Sequence, residues 1–170
     1  MGTGSGEVAL SPELRVPSRE RTSKSVVTKL EDRINSPLIA PPLAGSVLGS
    51  VSSDFVVAEW KDMGGPPGPP RWIAPLHLHR NDDEAWYVLE GTLCLRVGKR
   101  VVEAGAGSAV LVPRGTVHTY WNPGSGLVRY LLVMTSNIYS LIQDIHAMTD
   151  RSPAALRAVF ERHDSELINE

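Results

Sequence analysis

The sequence predicts an all-β domain, a barrel or jelly roll, with helices packed outside it at the C-terminal end. Three observations carry this. From about residue 37 the chain runs in short segments rich in Val, Leu, Ile, Trp and Tyr, broken by Gly, Pro and Asn roughly every ten residues, as antiparallel strands and tight turns require. After Thr135 the apolar residues recur at helical spacing instead. The 15 Gly and 13 Pro favour many turns over long helices.

Taken in order, residues 1–36 are rich in Ser, Gly, Arg and Lys without sustained apolar periodicity, and read as a flexible arm. The domain proper is expected over 37–135, with strands at 54–61, 73–79, 84–90, 92–97, 101–103, 109–113, 117–121 and 127–135. Between the first two lies DMGGPPGPPRW, residues 62–72, too short for a collagen-like helix and read as a stiff loop long enough to cover an opening. Residues 136–170 form a helical extension: Ile138, Leu141, Ile142 and Ile145 make one helix face, and Ser152 followed by Pro153 caps a second helix running to about His163. His146 and His163, on these helices, are assigned solvated or capping roles.

Composition bounds the function. At 170 residues the chain fits one core, and 42% hydrophobic with 21% charged residues describes an ordinary soluble globule. A net charge of -2 offers no cationic field for a nucleic-acid backbone. No apolar run reaches the ~18 residues of a membrane helix, and the N-terminus lacks the apolar core of a secretory signal, so a cytoplasmic protein is expected. The single cysteine, Cys94, excludes an internal disulfide and reads as a core residue of a strand.

Chemistry concentrates in PLHLHRNDDEAWYVLEG, residues 75–91. A strand alternates its side chains, so His77 and His79 point the same way about 6.6 Å apart along the backbone and their imidazoles can converge on one ion. Glu84 opens the next strand after a turn in which Asp82 and Asp83 read as turn formers and solvated charge. A third histidine, His118, follows in GSAVLVPRGTVHTYWN, residues 107–122. Trp86 and Val88 share strand parity with Glu84, and Tyr120 shares it with His118, which makes all three candidates for lining a pocket.

These two segments resemble the paired motifs of the cupin superfamily. The first motif, HxH, four residues, Glu, six residues, Gly, is met by His77, His79, Glu84 and Gly91. The second, Gly, five residues, PxG, two residues, His, three residues, Asn, is met by Gly107, Pro113, Gly115, His118 and Asn122. One position differs: the family's first motif usually opens with Gly six residues before the first His, where this chain has Arg71.

The resemblance implies a cupin-type double-stranded β-helix holding one metal by His77, His79, Glu84 and His118. Three imidazoles and a carboxylate suit Fe, Mn, Ni, Cu or Zn rather than Ca or Mg, which favour oxygen shells. The small cupin dioxygenases make the first functional expectation: a metal-dependent dioxygenase acting on a small enol, phenol or diketone, with Glu84 as ligand and base. A non-redox isomerase, cyclase or lyase using the ion as Lewis acid, and a small-molecule-binding module without catalysis, are the alternatives. Cupins often dimerise, so a homodimer is the expected assembly.

Overall fold

The computed structural model describes residues 47–169; the arm at 1–36 and the expected domain start at 37 lie outside the described residues. Strand β1 is Val47–Leu48, and β2 (Phe55–Asp62) is followed by the Pro-rich loop and the short β3 (His77–His79). Next come β4 (Glu84–Glu90), β5 (Thr92–Val97), β6 (Arg100–Gly105), β7 (Ala109–Val112), β8 (His118–Trp121) and β9 (Val128–Thr135). Helices α1 (Ser136–Ala147) and α2 (Pro153–Arg162) and a final strand β10 (Ser165–Leu167) complete the chain.

The strands form two five-stranded sheets, ordered β1-β2-β9-β4-β7 and β10-β3-β8-β5-β6, with every pairing antiparallel. This is a double-stranded β-helix of the cupin type. Alternation assigns the faces: in β9 the buried Val128, Tyr130, Leu132 and Met134 alternate with half-buried residues, and in β4 the same rule buries Glu84, Trp86 and Val88. These side chains meet Val56, Ala58, Leu93, Leu95 and Tyr120 in one core between the sheets. Cys94 is buried, as expected of a core thiol, and burial followed by the charge of Glu103 pushes it above the ordinary thiol range.

Tight turns need their glycines. Gly91 turns β4 into β5 at φ 75°, and a Cβ there collides with the carbonyl of Leu127. Gly115, also at φ 75°, donates its N–H to the His79 carbonyl at 2.6 Å, holding the β7–β8 turn against the strand that carries both histidines.

Three expectations need correcting. The strand expected at 73–79 reduces to His77–His79, because Pro75 has no N–H to offer a ladder; Ile73 instead donates to the Tyr120 carbonyl at 2.9 Å. The loop at 62–72 does not cover the site: Gly65 donates to the Gly124 carbonyl at 3.2 Å, and Asn122 donates to the carbonyls of Asp62 and Gly126, so the loop lies along the β8–β9 turn. The extension is not wholly helical, since β10 returns to pair with β3. Asp164, at φ 50°, makes that return, a left-handed position that Asp tolerates better than most residues.

The helices begin where the sequence indicates. Thr135 caps α1 by accepting from Ile138 N–H, and Ser152 caps α2 by accepting from Ala155 N–H ahead of Pro153. Ile138 joins the core between the sheets, while Leu141, Val159 and Phe160 form a second cluster with Leu167 of β10 at its edge. His163 is the C-cap of α2, and His146 is exposed with its ring edge-on to Trp60 at 6.0 Å.

Candidate metal centre

His77, His79 and Glu84 come from strands on either side of the RNDD turn, and His118 stands opposite His77 across the β3–β8 pair. The histidines belong to one sheet and Glu84 to the other, so the cluster bridges the two layers. All four side chains are buried, and one potential ligand atom from each lies within 4.8 Å of the rest. The imidazoles of His77 and His118 are 4.2 Å apart between ring centres, and those of His77 and His79 are 4.8 Å apart.

Hydrogen bonding decides which nitrogen of each ring faces the centre. His77 Nδ1 donates to the Pro75 carbonyl at 2.7 Å and His118 Nδ1 to the Thr116 carbonyl at 2.8 Å; a carbonyl can only accept, so both rings carry the proton on Nδ1. His79 Nδ1 lies 2.8 Å from Ser165 Oγ, whose own proton goes to the His163 carbonyl at 2.9 Å. The hydroxyl has one proton and has already spent it, so here too Nδ1 donates. A neutral ring protonated at Nδ1 keeps a lone pair on Nε2, and the Nε2 atoms of His118 and His79 lie beside Glu84.

That arrangement fits a cation. His79 Nε2 is buried with no hydrogen-bond partner, and Glu84 Oε2 lies 3.6 Å from it and 3.1 Å from His118 Nε2. Without a positive charge among them, lone pairs of nitrogen and carboxylate oxygen face one another in a dry interior, a costly arrangement. Burial, then the charges that His118 and His79 carry when protonated, hold the His77 imidazole down at about 3, so it stays neutral and available as a donor. For Glu84, burial pushes the carboxyl up, but attraction to His118 and His79 when those rings are protonated outweighs it and holds the group at about 2. It is therefore an anion at neutral pH.

The centre forms the floor of a cavity of about 150 Å³ walled by Trp60, Leu132, Ile138, Leu141, Ile145 and Phe160 among others. Tyr120 lines it, its hydroxyl raised well above the ordinary phenol range by burial and then by Tyr130 and Glu84, so it stays protonated. Trp86 and Val88 do not border this cavity; they are buried in the core, with the Trp86 ring 5.8 Å from that of His118.

Three positioning residues escape a reading by motif. Ser165 orients His79 from β10, a three-residue strand with no alternating pattern long enough to announce itself. Asp82 is more than solvated charge: it accepts from Thr135 Oγ1 at 2.7 Å and from Asn137 Nδ2 at 2.8 Å, tying the turn between the ligand strands to the start of α1. Asn137 also donates to the His163 carbonyl, so one amide joins this turn to the end of α2. Asp83 takes both guanidinium arms of Arg114, whose hydrogen bonds hold its carboxyl at about 2. Only the Asx character of both aspartates signals any of this in sequence.

Residues 69–134 match the family model described as a cupin domain. A mannose-1-phosphate guanylyltransferase of Salmonella muenchen is 32% identical over 75 residues, covering 44% of this chain but only 15% of that enzyme. Among solved structures, a cupin protein from Bacteroides fragilis is similar with a TM-score of 0.48 at 13% identity, over 59% of this chain and 82% of its own. A double-stranded β-helix protein from Klebsiella pneumoniae is similar with a TM-score of 0.45 at 24% identity, over 62% and 85%.

Proposed function

We propose that His77, His79, Glu84 and His118 hold one divalent transition metal and that the protein is a mononuclear metal-dependent dioxygenase acting on a small organic molecule. The observation that carries this is three buried imidazoles, each with Nδ1 held in a hydrogen bond, whose potential ligand atoms lie within 4.8 Å of one another and of a buried carboxylate beside a largely apolar cavity. A redox-active ion in this donor set supplies electrons to dioxygen and a Lewis acid for a substrate oxygen, and four protein ligands leave room for both.

The chain's own contributions follow from the geometry. The histidines are nitrogen donors whose orientation is set by Pro75, Ser165 and Thr116. Glu84 provides the negative charge and is the one ionised carboxylate lining the cavity, able to take a proton from an acidic substrate O–H or C–H. The largely apolar lining lowers the local polarity beside the cluster and strengthens charge interactions there.

The test is oxygen uptake by protein reconstituted with iron, manganese, nickel or copper, across a panel of enols, phenols and diketones. Consumption of oxygen in step with product supports the reading. Turnover that proceeds equally without oxygen assigns the site to isomerase or lyase chemistry, and binding without product assigns it to recognition.

A further inference from the structure

We infer that the chamber takes an apolar, one-ring-sized end of a molecule with an oxygen-bearing head on the cluster, and that helices α1 and α2 supply much of the wall that makes this selection. The part of this inference concerning the oxygen-bearing head rests on the metal reading above; the part concerning the apolar body does not.

Size comes first. The cavity is about 150 Å³, the volume that in an apolar protein interior takes one benzene-sized ring. The cavity opens to solvent, so this space bounds the buried end of a ligand, and a larger body would project outward.

Chemistry comes second. Away from the metal cluster the lining offers two polar side chains besides the Trp60 indole: Tyr120, neutral and buried, and the exposed His146 of α1. No lysine or arginine lines the cavity among the described residues. The arginines nearest the ligand strands are committed elsewhere: Arg80 pairs with Glu166 at 2.6 Å, Arg114 with Asp83 at 3.0 Å, and Arg71 lies 3.7 Å from Asp62, all three more than half exposed. A phosphate brought into this chamber would lose its hydration and find no cation in the wall to replace it.

Provenance comes third. Ile138, Leu141, Ile142 and Ile145 of α1 and Phe160 of α2 all follow residue 134, where the cupin-domain match ends. The proposed ligands belong to the barrel, whereas the wall beside them is shared between barrel residues such as Trp60 and Leu132 and the helices of the extension. Phe160 touches both, its ring edge-on to His77 at 5.5 Å.

The experiment uses three probes on the full chain. Nickel-loaded protein is titrated with tropolone, one ring bearing adjacent oxygens, and with mannose 6-phosphate; metal-free protein is titrated with toluene. Heat of binding and tryptophan fluorescence are the readouts. The expected result is tropolone binding at least 100-fold tighter than mannose 6-phosphate, together with toluene binding to the metal-free protein. Ile142→Trp and Ile145→Trp, each placing an indole in the chamber, should weaken tropolone and toluene at least tenfold while nickel content stays at the wild-type level.

Mannose 6-phosphate binding as tightly as tropolone overturns the inference, as does unchanged tropolone affinity in both tryptophan variants. If the wild type takes up no nickel, the metal reading fails by itself; toluene then decides the apolar half, since binding lost in the tryptophan variants upholds the chamber and no binding to the wild type overturns it.

Discussion

Ser165 stands directly opposite His79 in the β10–β3 pair, and the two side chains meet at 2.8 Å. A residue of the strand that follows the last helix thus determines which nitrogen of a barrel histidine faces Glu84. Because the Ser165 proton is given to the His163 carbonyl, the hydroxyl can only accept from the ring. Ser165→Ala should lower metal affinity about 10- to 100-fold, the usual worth of such an orienting partner, and Ser165→Thr should restore most of it. Competition against a chelator of known affinity measures this. Equal affinity in the alanine variant would show that packing alone orients His79.

How much of this was legible beforehand follows from what each element needs. The four cluster residues were readable because strand parity and motif spacing are local properties of the chain. The long strands were readable for the same reason: β4 and β9 alternate over enough residues to declare a face. Ser165 was not, since its partner lies 86 residues away and three residues carry no period. Helices packed outside the barrel were expected, but which part of it they cover was not readable, because an apolar stripe such as Ile138, Leu141 and Ile145 says that a face is buried but not against what. That stripe proves to wall the cavity above the cluster.

Asp82 supplies the next expectation. It holds Thr135 and Asn137, and through Asn137 the end of α2, so Asp82→Ala removes two hydrogen bonds to a charged acceptor at the junction of barrel and helices. A loss of about 1–3 kcal/mol is expected in urea unfolding, with metal stoichiometry unchanged. A loss of metal at unchanged stability would instead place Asp82 in the binding chemistry.

Glu84→Gln separates ligation from proton transfer. The amide retains an oxygen for the site but takes no proton, so the three histidines should keep the site largely filled while turnover on an acidic substrate falls by roughly 10² to 10⁴. Equal turnover at equal metal loading would remove Glu84 from the role of base.

Acid should destabilise the metal-free protein over a definite window. His77 is held at about 3 in the fold against 6.5 ordinarily, so below pH 6.5 the unfolded chain binds a proton that the folded chain refuses. Stability is fully present above 6.5 and declines until the folded ring also protonates near 3. Glu84, at about 2 against 4.5, adds a loss of the same sign over the lower window. The urea midpoint should fall continuously from pH 6.5 to 4.5, and His77→Gln should flatten that slope. A flat wild-type profile over this interval would mean that the His77 ring is not held neutral by burial.

Metal content tests the central claim most directly. Protein purified without added metal and then equilibrated with an excess of nickel, desalted and assayed by elemental analysis should carry one ion per chain, and the variant with His77, His79 and His118 all changed to alanine should carry essentially none. A full equivalent retained by the triple variant, folded as judged by circular dichroism, would contradict the assignment of the metal to these residues.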